Sequence, residues 1–412
     1  MGCFLSLDFF LFFLFFEFML LPMYFLIGIW GGPRREYASI KFFLYTLFGS
    51  VLILIVMIAL YSSAYDPDET AHSFTMNIFQ YLLNDSTLPE KEFVHTLRFD
   101  HLADPHNYIH GSLLHINNKT LLLGFTFRQW AFLLLLIGFI IKLPAVPFHT
   151  WLPDAHVEAP TPVSVILAAV LLKIGAYGLI RIAYPIFAHE AMYFATLVGS
   201  IGVVSIIYAA YNALAQNDFK KMIAYSSVSH MGFVLLGLAS LTVEGVSGAI
   251  YQMVSHGFIS AGLFLVAGVI YEQTHDRTIQ NYKGLANEMP YFTAIVVILF
   301  FASLGLPGFS GFMAEILVFL GAFKSMLLPK WIAIVSTFGL ILGAAYYLWT
   351  LQRMFFGKFW INENVGVSNV KDASKLQLFC LIPLVMLVIL LGVYPSLLTE
   401  IFNPAVNLFL KK

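Results

Sequence analysis

Four ionisable residues sit inside long apolar runs: Glu17 in FFLFFEFMLLPMYFL, Lys142 in GFIIKLPAVP, Lys173 in VLLKIGAYG and Glu315 in GFMAEILVF. Holding a charge at the centre of a bilayer costs about 2.5–3.5 kcal/mol. Such residues must therefore face a bundle interior, where they pair or meet water. Lysine and carboxylate suit proton handling. Burial disfavours the charged form of either group, and a nearby opposite charge restores it. A buried lysine whose carboxylate partner comes and goes thus takes up and releases a proton. On this reading Glu17 modulates Lys142, Lys173 relays toward the second half of the chain, and Glu315 is the terminal donor or acceptor. His230, which ends the polar run Tyr225-Ser226-Ser227-Val228-Ser229, and His256 in VSHGF complete a hydrated path, because histidine titrates near neutral pH. His149 stands one heptad from Lys142 and on the same face of an unbroken helix. The competing reading is static. Fixed ion pairs would tie helices together, Glu17 and Lys173 would snorkel to the interface, and the histidines would make interhelical hydrogen bonds.

The elements that position these residues are membrane helices. Hydrophobic residues make up 59% of the 412 residues and charged residues only 11%, against about 25% charged in soluble domains. Mean hydropathy is +0.83. With a span needing about 20 apolar residues, ten spans are expected: 4–30, 41–61, 128–151, 162–185, 191–215, 221–241, 247–271, 291–323, 330–352 and 376–402. Lys142 is followed by Leu143-Pro144, and Ser303 by Leu304-Gly305-Leu306-Pro307, so the third and eighth spans should break there. Lipid tolerates a break only where protein or water meets the freed carbonyls. Two broken spans in matching places of two halves point to inverted repeats with sites at the midplane. The fold class is all-α, a polytopic transmembrane bundle with inverted repeats and two broken helices. The expected segments are two helices in 1–61, an extramembrane loop in 62–127, the broken helix and lysine helix of the first repeat in 128–190, a second repeat in 191–360, and a loop with a C-terminal helix in 361–412.

The run from Met1 to Trp30 has no basic start and no small-residue cleavage site, so it reads as a mature span and not as a signal peptide. Arg34, Arg35 and Lys41, then Lys220 and Lys221, then Arg277 and Lys283, then Arg353, Lys358, Lys371 and Lys375 fall on alternate loops, which places those loops on the inner side. The 62–127 loop then lies outside. Its histidines, His72, His95, His101, His106, His110 and His115, match no ligand spacing and read as solvated, so no metal is expected. The corner Trp151 to His156 reads as a turn at the inner mouth, with Asp154 and His156 as caps or proton gatherers. Glu36 reads as a solvated partner of Arg34 and Arg35. The net charge of −1 suggests no nucleic-acid partner. Cys3 and Cys380 lie far apart, and there is no P-loop, GxGxxG, nucleophile elbow or CxxCH. No nucleotide or redox centre is expected in this chain.

Three stretches carry a family likeness: KLPAVPFHTWLPDAHVEAPTPVSVILAAVLLKIGAYGLIRI, FKKMIAYSSVSHMG and LGLPGFSGFMAE. They resemble the antiporter-like proton-pumping subunits of respiratory complex I. The N-terminal run FFEFMLLPMYFLIGIWGGPRREYASIKFFLYTLFGS and the carboxylate at Glu315 resemble the branch formed by chain M and mitochondrial subunit 4. The likeness covers almost the whole chain apart from 62–127, and the chain begins inside what resembles the fifth helix of the family pattern. It implies a proton path over Glu17, Lys142, Lys173 and Glu315, with His230 and His256 as relays. It also implies that sister antiporter-like subunits are partners, that NADH, flavin, iron–sulfur and quinone sites lie in other subunits, and that the chain sits in a bacterial inner membrane or its mitochondrial counterpart. The alternative is a subunit of a multisubunit monovalent cation/proton antiporter, which shares the motifs around Lys142 and Lys173.

Overall fold

The structure, a computed structural model, describes residues 1–84, 93–366 and 370–410. In chain order the longer helices are α1 (Phe9–Phe18), α2 (Leu20–Trp30), α3 (Arg35–Ser63), α4 (Pro67–Asn84), α5 (Phe127–Lys142), α6 (Trp151–Glu158), α7 (Thr161–Ile186), α8 (Ala195–Leu214), α9 (Phe219–Ala239), α10 (Val243–Thr274), α11 (Pro290–Ser303), α12 (Ser310–Lys324), α13 (Lys330–Met354), α14 (Lys375–Val393) and α15 (Ser396–Leu410). Among the described residues, eight helical stretches are long and apolar enough to cross a membrane, α1 and α2 together forming the first of them. Of the two remaining expected spans, 128–151 ends its helix at Lys142 and runs on as turns to residue 150, and 291–323 is divided into two shorter helices at its proline.

Contacts group the chain into two units that interleave in sequence. The first comprises Met1–Leu20, Thr46–Phe139 and Tyr177–Ala191. Its α1 starts at Asp8, whose carboxylate accepts from the backbone N–H groups of Phe10 and Leu11. Phe9, Phe12 and Phe16 are spaced to share one face and are buried. The Phe139 ring meets Phe12 and Phe16 at centroid distances of 6.2 and 6.1 Å. Arg128 is buried against Glu190, with Nε 3.1 Å from Oε1, and its other nitrogens donate to the carbonyls of Leu114 and Ile186. The 62–127 stretch holds local structure. It contains α4, and Leu121–Leu122 pairs antiparallel with Phe125–Thr126. Two of its histidines correct the solvated reading. His101 Nδ1 stands 3.2 Å from Asp66 Oδ2, and His115 is buried.

The second unit comprises Leu21–Tyr45, Ile140–Ala176 and Met192–Lys412. Its centre is α9, whose apolar window is 94% buried, with α10 beside it at 72%. Ile223, Phe264, Phe292, Leu299, Phe300 and Leu351 belong to the packed core around them. At the margin α14 is only 22% buried, and Leu376 and Phe379 stand exposed. Such an apolar exterior suits lipid or a neighbouring helix.

Three expectations are corrected in this unit. The Trp151 to His156 corner is not a turn, because Trp151–Glu158 is a helix with all its residues but Asp154 buried. The last span ends at Val393, and a separate helix, α15, follows Pro395. Arg34 pairs with Glu158 and not with Glu36: its Nε lies 3.7 Å from Oε1, and its backbone N–H donates to Oε2 at 3.0 Å.

Candidate functional site

Both breaks lie in the second unit, and each presents an ionisable group. Helix α5 stops at Lys142, which is 1% exposed. The carbonyls freed there meet protein. Ile141 O accepts from the Trp151 indole N–H at 2.8 Å, and Ile140 O from the Ala145 N–H at 3.0 Å. The Val146 N–H donates to Ser205 Oγ at 3.0 Å. This is the condition under which a helix can open at membrane depth.

The second break runs from Leu304 to Phe309, between α11 and α12. Gly305 sits there at φ +78°, and a Cβ on it would lie 2.3 Å from Glu315 Oε2. The backbone of the break is thus pressed against the Glu315 carboxylate, and only glycine fits both the left-handed conformation and the space. Glu315 itself is 4% exposed, and Oε2 has no hydrogen-bond partner among the described residues.

Lys173 belongs to α7, which is not a plain α-helix. Leu167–Leu171 forms a π turn immediately before the lysine's segment. Such turns, with their i to i+5 bonding, recur at functional sites. Lys173 Nζ donates to Ala168 O, inside that turn, at 2.6 Å and lies 2.7 Å from His256 Nδ1. The rings of His256 and His230 are 5.5 Å apart. A void of about 10 Å³, room for roughly one water molecule, is lined by His230, Gln252, His256 and Ser303. His230 Nδ1 lies 3.6 Å from Glu315 Oε1. Lys173, His256, His230 and Glu315 therefore form one buried polar series across α7, α10, α9 and α12, and none is more than 6% exposed.

Several polar residues of this site were not singled out in the sequence. The Gln252 amide nitrogen is 3.1 Å from His230 Nδ1. Ser303 Oγ is 3.2 Å from His230 Nε2 and donates to the Tyr347 hydroxyl at 2.6 Å. Tyr347 donates to Ser226 Oγ at 2.9 Å. Ser226 was read only as part of the polar run before His230. Beside His256, the hydroxyls of Ser255 and Ser310 meet at 2.7 Å.

Other expected residues are placed differently. Glu17 lies on α1 in the first unit, partly exposed, with Oε1 buried. His149 falls in the turn after α5, so its heptad relation to Lys142 is lost; its ring stands 5.4 Å from that of Tyr208. His156 is not at a mouth. It is 0% exposed, and its ring stacks on Phe264 at 4.2 Å. Asp154 caps no helix; it binds Lys41 at 2.7 Å. Lys220, counted as a loop charge, is buried and donates to Ala159 O at 2.5 Å.

The fold and its buried polar series define a class: polytopic membrane subunits of the antiporter-like type. A chain of respiratory complex I from Thermus thermophilus, solved with bound NADH, superposes with a TM-score of 0.80 at 31% identity, over 100% of this chain and 76% of that one. A chain of the Mrp complex from Dietzia sp. DQ12-45-1b has a TM-score of 0.78 at 21% identity, over 98% and 74%, a likeness of fold alone. NADH-quinone oxidoreductase subunit M of Rhodobacter capsulatus is 44% identical over 98% of this chain and 72% of its own length. The family described as NADH:quinone oxidoreductase/Mrp antiporter, transmembrane, matches residues 6–87 and 94–343, and the chain belongs to it.

Proposed function

We propose that this chain is a proton-translocating membrane subunit of an NADH:quinone oxidoreductase, driven by quinone reduction in partner subunits. The observation that carries the reading is the buried series Lys173–His256–His230–Glu315, in which one contact is 2.7 Å and another 3.6 Å. Each member can hold or release a proton, and lipid would exclude all four unless they faced the bundle interior, as they do here. Lysine and carboxylate at the two ends, with imidazoles between, let one proton shift the next by changing the local charge.

Glu17 and Lys142 join the proposed path on the family likeness. NADH, flavin, iron–sulfur and quinone belong to partner subunits on this reading. The sequence supports that placement, because two distant cysteines cannot supply the four thiolates of an iron–sulfur cluster. Cation/proton exchange is the competing activity. The fold does not separate the two, whereas the 44% identity to a subunit M favours the oxidoreductase.

The test is Lys173→Ala in the assembled complex, with NADH oxidation and proton uptake into vesicles read together. The expected result is loss of pumping with the complex assembled. Unchanged pumping would favour a scaffold whose charges are static.

A further inference from the structure

We propose that Asp66, Asp68 and His101 form a zinc site in the 62–127 stretch, built from one imidazole and two carboxylates. It stands apart from the buried lysine–histidine–glutamate series and does not rest on the function given above.

The ligand atoms are already gathered. Asp66 precedes α4, and its Oδ1 accepts from the backbone N–H groups of Asp68 and Glu69 at 3.0 and 3.1 Å. Those two bonds fix the carboxylate and leave Oδ2 turned toward His101. His101 belongs to the one-turn helix Phe99–Leu102, and its Nδ1 lies 3.2 Å from Asp66 Oδ2. Nδ1 is buried and makes no hydrogen bond among the described residues. With no aligned N–H between them, the two lone pairs repel unless a cation bridges them. Asp68 completes the set, because one ligand atom from each of the three residues lies within 4.8 Å of the others.

The spacing suits zinc. Tetrahedral zinc with nitrogen and oxygen ligands at about 2.1 Å sets those ligands about 3.4 Å apart. The Asp66–His101 pair meets that spacing at 3.2 Å. From the 4.8 Å limit Asp68 has at most about 1.4 Å to close. Its side chain is exposed, so rotation supplies the movement. Three protein ligands leave the fourth position to water. The imidazole favours zinc over calcium or magnesium, which take oxygen ligands. The surroundings also set the ring. His101 Nε2 faces Asp100 Oδ2 at 3.9 Å, which favours a proton on Nε2 and leaves Nδ1 free for metal. The nearby cation, Arg98, is engaged by Asp100, with Nη2 2.8 Å from Oδ2 and Nε 3.2 Å from Oδ1.

A metal here would staple two segments of the first unit. One is the start of α4. The other, around Phe99, is already tied to the start of α1. The Phe9 N–H donates to Leu97 O at 2.9 Å, and the Phe99 N–H donates to Leu7 O at 3.1 Å. The rings of Phe9 and Phe99 lie 6.1 Å apart. Zinc would therefore hold the 62–127 stretch against the helix that carries Glu17.

The test uses the assembled complex, stripped with a chelator and reloaded with zinc chloride. Zinc bound per complex is counted in wild type, His101→Gln and Asp68→Asn, so that zinc held by other subunits cancels. Wild type should bind one zinc more than either variant. Limited proteolysis of this chain at residues 93–104 gives a second readout. Zinc at about 100 times its Kd should slow cleavage by up to about 100-fold in wild type and leave both variants unchanged. If His101→Gln fails to assemble, Asp68→Asn decides, since its side chain is exposed. Equal zinc counts in wild type and the variants would overturn the site. Equal protection by calcium chloride would also overturn it, because the imidazole would then have no part in binding.

Discussion

Gly305→Ala is the perturbation that reads the site most finely. Gly305 lies at φ +78°, where a side chain costs about 1 kcal/mol of backbone strain. The added Cβ would stand 2.3 Å from Glu315 Oε2, and ordinary contact begins near 3.4 Å, so the carboxylate must retreat by about 1.1 Å. Glu315 Oε1 stands 3.6 Å from His230 Nδ1, already at the outer limit for direct transfer. A misplacement of about 1 Å lowers a geometry-dependent step by about 10²-fold. Gly308→Ala is the control. It imposes the same kind of strain at φ +97°, but its Cβ would have nothing within 4 Å. The assay is proton uptake into vesicles alongside NADH oxidation, after equal assembly has been checked for both variants. Gly305→Ala should cut pumping by one to two orders of magnitude, and Gly308→Ala should stay near wild type. Equal rates in the two variants would refute the idea that carboxylate placement matters.

Two further outcomes follow from the first unit. Arg128→Ala should lower stability by about 3–5 kcal/mol, because Glu190 is left as a buried charge without its partner; thermal unfolding in detergent measures this, and a loss under about 1 kcal/mol would show the pair to be effectively solvated. The Arg98 guanidinium holds the Asp100 carboxyl down to about 2, although both side chains are largely exposed. A lowered acid contributes stability above its unfolded value of 3.8 and loses it as pH falls toward 2. Asp100→Asn should therefore cost a few tenths of a kcal/mol at pH 6, about the worth of an exposed pair, and nothing near pH 2; a difference that persists at low pH contradicts the pairing.

Much of the architecture was legible because proline and buried charge are strong local signals. Pro144 and Pro307 marked both breaks, and Lys142, Lys173 and Glu315 stood out against apolar neighbours. The misreadings have physical causes. Pro153 and Asp154 looked like a turn, yet Pro153 is the third residue of α6, where its missing N–H leaves no helical bond unmade. Lys220 looked like a loop charge because its partner is a backbone carbonyl, Ala159 O, that sequence does not show. The π turn before Lys173 has no residue type that announces it. Gln252, Ser303 and Tyr347 are ordinary polar residues of membrane helices until packing sets the first two against the two nitrogens of His230 and Tyr347 against Ser303.

The claim that a buried series carries protons stands or falls at its closest link, Lys173 Nζ to His256 Nδ1 at 2.7 Å. The direct measurement is protons moved per NADH oxidised in vesicles holding the complex with His256→Leu, compared with wild type. The account predicts a collapse of that ratio, or of both rates together, with assembly intact. A wild-type ratio at a wild-type rate would contradict it.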